Sequence, residues 1–140
     1  MNEVITLNTD SPEIQHLCKV DKRLAKVISM VGAISYQLYA DPYDFLIHEI
    51  IEQMLSKADY IKSLTHSVMS GEIDFETFKA MSDEEVIKHL TNLKGIGMWT
   101  AHMYLIFVLN RQDILPTSDV AFLQVYEWLY KTKDRSKSSE

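Results

Sequence analysis

The chain has a single cysteine, Cys18, among 140 residues. A lone thiol excludes an intrachain disulfide and any cluster held by four thiolates, and Cys18 is expected simply to be buried. Positive charge is also scarce: 14 Lys and Arg stand against 20 Asp and Glu, a net charge of −6. That balance argues against strong non-specific binding to nucleic acid, which phosphate neutralisation drives. No run approaches the roughly 18 apolar residues that a membrane span needs. The N-terminus lacks the basic-then-apolar layout of a signal peptide, so a cytoplasmic location is expected. Strand signals are missing as well, because no segment shows sustained alternation or β-branched clustering; the fold class read from the sequence is all-α. His16, His48, His66, His89 and His102 show no paired ligand spacing with Cys or another His on one helix face, so no metal site is expected. A Ser-His-Asp arrangement, a Walker loop and a dinucleotide fingerprint are all absent, and nothing calls for a cofactor.

What is present reads as a succession of helices. The length fits one domain with a modest core, and 46% hydrophobic content is ordinary for a globular chain. Residues 1–10 read as an extended or frayed leader. Ser11-Pro12-Glu13 combines a cap, a first-turn proline and a first-turn acid, and starts a short helix through Cys18. Asp21 caps the next, in which Leu24, Val27, Ile28 and Val31 recur at helical spacing until Gly32. Ala33 to Ala40 reads as a connection. Asp41-Pro42 opens a third helix with a broad apolar stripe of Leu46, Ile47, Ile50, Ile51, Met54 and Leu55. The helical period resumes from Ser56 to Met69 and stops at Gly71. Asp74 starts a short helix with Phe75 and Phe78 facing inward. Ser82-Asp83-Glu84-Glu85 is a capping box, followed by an apolar face of Val86, Ile87, Leu90 and Leu93. Residues 131–140 are polar, charged and serine-rich, and are expected to be disordered.

The most informative stretch follows: Leu93-Lys94-Gly95-Ile96-Gly97-Met98-Trp99-Thr100-Ala101, an apolar helix to Asn110, then Leu115-Pro116-Thr117-Ser118-Asp119. Two glycines flanking one apolar residue between helical patterns make a tight hairpin. The helix after the second glycine presents N–H groups and a dipole that favour a phosphate oxygen, although a plain turn is the blander reading. Thr117 or Ser118 is expected to cap a helix beginning near Asp119, and Asp119 by itself reads first as an N-cap or first-turn acid. Trp99 reads as a core tryptophan or as an exposed aromatic wall. From Leu93 to Arg111 the only formal charges are Lys94 and Arg111, a neutral-to-basic face in an otherwise acidic chain.

In order and spacing these residues resemble the helix-hairpin-helix and aspartate signature of DNA glycosylases, specifically the alkylpurine branch, 3-methyladenine DNA glycosylase II. The resemblance covers about Asp21 to Tyr130 and implies an incomplete helix-hairpin-helix bundle with the hairpin unit at 83–110 inside a domain at 11–130. It implies a catalytic role for Asp119, a base pocket bounded by Trp99 and Tyr104, and strand contacts from Lys94, Gly95, Ile96, Gly97, Met98 and Thr100. Gln53 and Met54 fall where the family places groove-inserting residues, against the plainer readings of surface glutamine and core methionine. Trp99 stands where lyase-competent relatives carry a lysine, so the implied activity is monofunctional base release. The implied partner is duplex DNA with alkylated or abasic sites, reached in a bacterial cytoplasm or a eukaryotic nucleus. The family pattern jumps between Ile50–Ser56 and Lys57–Leu64, as though intervening helices were deleted, and its last helix is missing. Apolar stripes such as that of Leu46 to Leu55, left partly exposed by that deletion, predict self-association as a homodimer.

Overall fold

A computed structural model describes residues 3–52 and 57–132. In chain order its elements are β1 (Val4–Leu7), α1 (Pro12–Val20), α2 (Lys22–Val31), β2 (Ile34–Gln37), α3 (Pro42–Glu52), α4 (Lys57–Met69), α5 (Phe75–Phe78), α6 (Asp83–Thr91), α7 (Met98–Phe107) and α8 (Val120–Tyr130). The trace divides into two compact units where the sequence suggests one: Tyr39–Pro116 is continuous, while the other joins the chain up to Leu38 with the chain from Thr117.

The continuous unit carries the main core. The stripe of α3 supplies Phe45, Leu46 and Ile50, α4 supplies Leu64, α6 supplies Val86 and Leu90, and α7 supplies Ala101, Tyr104 and Leu105, all essentially inaccessible. A fully buried side chain of this size contributes about 1.5–3 kcal/mol, so this cluster, rather than helix propensity, holds the unit together. Phe75 and Phe78 do face inward: Phe78 is buried, and its ring meets Tyr104 edge-on at 5.9 Å. The α3 stripe is therefore less exposed than expected. Ile47 is half-buried and only Ile51 of the described stripe residues is exposed, while Met54 and Leu55 lie outside the described residues.

The helix starts follow their caps. Asp74 accepts from the Glu76 amide, and Ser82 and Glu85 complete the reciprocal capping box. The amide given by Ser82 holds the Glu85 carboxyl below its ordinary value. At the far end α7 stops at Phe107, short of Asn110, because Asn110 turns to φ 52° and the Arg111 amide reaches back to the Leu105 carbonyl. The Arg111 guanidinium then donates to the Asp83 carboxylate and to the carbonyls of Phe78 (3.1 Å) and Met81 (2.6 Å). This clamp ties the start of α6 to the segment leaving α7. It also withdraws Arg111 from the basic face expected of it.

In the second unit, the leader expected to be extended or frayed is extended over Val4–Leu7, where it forms an ordered strand. β1 pairs antiparallel with β2 in the register Val4–Gln37 to Leu7–Ile34, and Thr6 and Ser35 hydroxyls meet at 2.8 Å. β2 lies inside the stretch expected to be a simple connection. α1 and α2 start where predicted, α2 on the Asp21 cap but α1 without a capping bond from the Ser11 hydroxyl; α1 runs on to Val20, and Cys18 is half-buried rather than enclosed. Tyr130 at the end of α8 donates to the Asp21 carboxylate, and Arg23 donates to the Tyr130 carbonyl at 3.2 Å, joining α8 to α2. Leu38 and Leu123 are buried here, but α8 turns Val120, Val125 and Trp128 outward, the last 73% exposed. The uncovered apolar surface expected on α3 is found on this helix. α8 ends at Lys131 in the left-handed conformation, and the expected disordered tail falls, from residue 133, outside the described residues. Among the described residues no helix is long and apolar enough to cross a membrane.

Candidate nucleic-acid interface

The hairpin between α6 and α7 is built by alternating anchors and exposed backbone. Leu93 and Ile96 are buried at 9% and 5% exposure, and short turns close over them, from the Leu93 amide to Leu90 and from the Ile96 amide to Leu93. Between them Gly95 takes φ +90°, a left-handed conformation that a side chain resists. Gly97 is the N-cap of α7 in extended conformation, and nothing lies within 4 Å of where its Cβ would stand. The helix ladder starts with the Ala101 amide bonded to the Gly97 carbonyl at 3.0 Å. Gly97 has no side chain to accept from the first-turn amides, and Gly97 and Met98 are exposed, so the positive end of the α7 dipole lies near the surface.

The predicted strand-contacting residues separate by depth. Lys94, Gly97 and Met98 are exposed and Gly95 is partly so. Ile96 and Thr100 turn their side chains inward, Thr100 at 1% exposure, so each offers a strand only its backbone. Gln53 and Met54 lie outside the described residues. Trp99, in the first turn of α7, is 40% exposed, so it is not enclosed in the core. Tyr104 is a correction. It lies at the centre of the aromatic core against Phe45, Phe75 and Phe78, with no exposed surface and, among the described residues, no partner for its hydroxyl. Burial pushes that phenol well above its ordinary value, so Tyr104 packs the core and does not bound an open pocket.

Tyr39 packs edge-on against Phe45 at 5.0 Å, and the Tyr43 hydroxyl meets that of Thr65, so both are packing residues. His102, buried on α7, has its imidazolium disfavoured by desolvation. No group of three or more His, Cys, Asp or Glu suited to a metal occurs among the described residues.

One residue of the hairpin's support escaped the sequence. Tyr60 on α4 lies beneath Gly95, and the Lys94 ammonium stands 5.6 Å from the centre of its ring. The only sequence signal was its helical phase with Leu64, which marks it as inward-leaning but names no neighbour.

Asp119, in the other unit, is the N-cap of α8, displacing Thr117 and Ser118 from that role. One carboxylate oxygen accepts from the Phe122 amide at 2.9 Å and the residue is half-buried. The capping reading is therefore realised. It does not compete with a chemical one, since the same amide and dipole keep a carboxylate ionised and fix its direction.

No family model matches the chain. In sequence it is 39% identical over 89 residues to DNA-3-methyladenine glycosylase 1 of Schizosaccharomyces pombe, covering 63% of this chain and 39% of that one. The chain thus spans about two fifths or less of the length of the curated relatives it matches. In structure it superposes on a DNA-3-methyladenine glycosidase from Bacillus halodurans with a TM-score of 0.86 and 28% identity, over 96% of this chain and 82% of that one. A second solved structure, the Schizosaccharomyces pombe 3-methyladenine DNA glycosylase in complex with abasic DNA, superposes with a TM-score of 0.73 and 26% identity, over 89% and 82%.

Proposed function

We propose that the chain belongs to the DNA-3-methyladenine glycosylase family, which it resembles in sequence and in structure, and that it is a monofunctional base-excision glycosylase that hydrolyses the N-glycosidic bond of alkylated purines in duplex DNA. The observation that carries the reading is the left-handed Gly95 turn delivering an open, glycine-capped helix N-terminus beside an exposed lysine. That arrangement suits the phosphodiester of a strand and reads no sequence, as a lesion scanner requires. Base release leaves a cationic sugar, and a fixed carboxylate such as Asp119 stabilises it and orients the attacking water. An electron-poor alkylated purine stacks favourably on an indole, the role proposed for the exposed Trp99. No lysine stands in its place to form a covalent sugar adduct, so the product is an abasic site. The site of action is the compartment that holds the DNA.

A single-turnover assay on duplex carrying 3-methyladenine or 7-methylguanine tests this. Asp119→Asn is expected to bind the duplex while releasing base at least 100-fold more slowly, a loss of about 2.7 kcal/mol of transition-state stabilisation. Unchanged release by Asp119→Asn would refute the assignment. A binding protein without turnover is the reading left if the wild type binds duplex and releases nothing. Self-association belongs to the proposal too, favoured by the outward Val120, Val125 and Trp128 of α8. A single monomeric boundary in sedimentation at working concentration would remove it.

A further inference from the structure

Tyr60 meets the hairpin at two points. A Cβ on Gly95 would stand 2.6 Å from Tyr60 Cδ2 and 2.8 Å from its Cγ, so the glycine backbone lies directly on the ring with no room for a side chain. The Lys94 ammonium, 5.6 Å from the same ring's centroid, falls in the range where the aromatic quadrupole holds a cation. We propose that Tyr60 is the positioning residue of the strand contact: its ring is a base plate that keeps the Gly95 turn in place and parks the Lys94 charge beside it for a backbone phosphate. The inference rests on the DNA-binding reading above and adds to it the residue that arms the grip. An exposed lysine wanders among rotamers and loses that freedom on binding. A lysine already settled on a ring meets the phosphate with less to lose. The hydroxyl has no part in this; the flat ring does the holding.

Anisotropy titrations of an abasic duplex between 50 and 200 mM salt, with thermal melts alongside, test it. Tyr60→Phe is expected to bind as the wild type does, with the same salt slope. Tyr60→Leu is expected to melt cooperatively yet bind about tenfold more weakly, its slope of log K on log salt falling by about one, as for one lost phosphate contact. Lys94→Gln is expected to give the same slope change, and Tyr60→Leu with Lys94→Gln to be no weaker than Tyr60→Leu alone. The proposal is overturned if Tyr60→Leu binds as the wild type, if it weakens binding with the slope unchanged, or if Tyr60→Phe is as damaging as Tyr60→Leu. Should the leucine variant not fold, the proton spectrum of the wild type decides. Upfield-shifted ε-methylene protons of Lys94 support the ring contact, and random-coil shifts overturn it. Wild type that binds duplex while these variants leave binding unmoved defeats this inference alone; wild type that binds none defeats the glycosylase reading with it.

Discussion

Alanine at Gly95 puts two separate penalties on one methyl group. At φ +90° a Cβ crowds its own backbone, which costs about 1–2 kcal/mol. The same Cβ overlaps the Cδ2, Cγ and Cβ of Tyr60 at 2.6, 2.8 and 3.2 Å. These atoms sit at the root of the side chain, so the ring cannot swing clear without moving α4, and overpacking of this kind costs about 1–3 kcal/mol. Together the loss is about 2–5 kcal/mol against a total stability of about 5–15 kcal/mol. At roughly 3 °C per kcal/mol for a chain of this size, the melting temperature should drop by about 6–15 °C. Gly97→Ala is the internal control, because its backbone is extended at φ −97° and its Cβ meets nothing within 4 Å. It should cost at most about 1 kcal/mol, the N-cap preference of glycine over alanine. Its methyl nonetheless projects into the space proposed for a phosphate, so duplex affinity should fall while the melt barely moves. Thermal melts followed by circular dichroism, paired with duplex titrations, read both variants. Gly95→Ala melting with the wild type, or Gly97→Ala losing as much stability as Gly95→Ala, would refute the reasoning.

Two further perturbations separate structural from chemical roles. Asn caps a helix as well as Asp, so Asp119→Asn should melt within about 0.5 kcal/mol of the wild type, whereas Asp119→Ala should lose about 0.5–2 kcal/mol; equal melts for both would mean that the bond to the Phe122 amide carries no weight. Arg111→Lys should lose about 2–4 kcal/mol, close to the loss in Arg111→Met, because an ammonium cannot reproduce a fork that serves one carboxylate and two carbonyls. Urea unfolding of the pair reads this, and full rescue by lysine would show the clamp to be a simple ion pair.

Local chemistry made most helix boundaries readable. Asp21, Asp74 and the Ser82–Glu85 pair each announce a helix start through a side chain that bonds amides two or three residues on, and these bonds are present. The hairpin was legible for the same reason, since glycine's tolerance of positive φ is a property of the residue itself. What escaped depends on partners far along the chain. β1 and β2 are four-residue strands whose period is too short to count, and their pairing is visible only once both ends are brought together. Arg111 read as a cation for a ligand because the carbonyls of Phe78 and Met81 have no sequence signature. Tyr104 took its base-pocket role from family resemblance, while the ring cluster that encloses it, from α3 and α5, could be seen only in three dimensions. Trp99 reads as core or as wall, because an apolar helix does not say which face is covered, and its place in the first turn leaves it partly exposed.

The division of the chain bears on how the protein is made. Tyr39–Pro116 is one uninterrupted run, whereas its neighbour is stitched from an early and a late stretch by Tyr130 with Asp21 and Arg23. Emerging from a ribosome, the run with the aromatic core can close on itself as soon as Pro116 is clear, while α1 and α2 must wait for α8 to be synthesised. Asp119 belongs to the later product, so the phosphate grip should exist on a nascent chain before the carboxylate proposed for chemistry has been held in place.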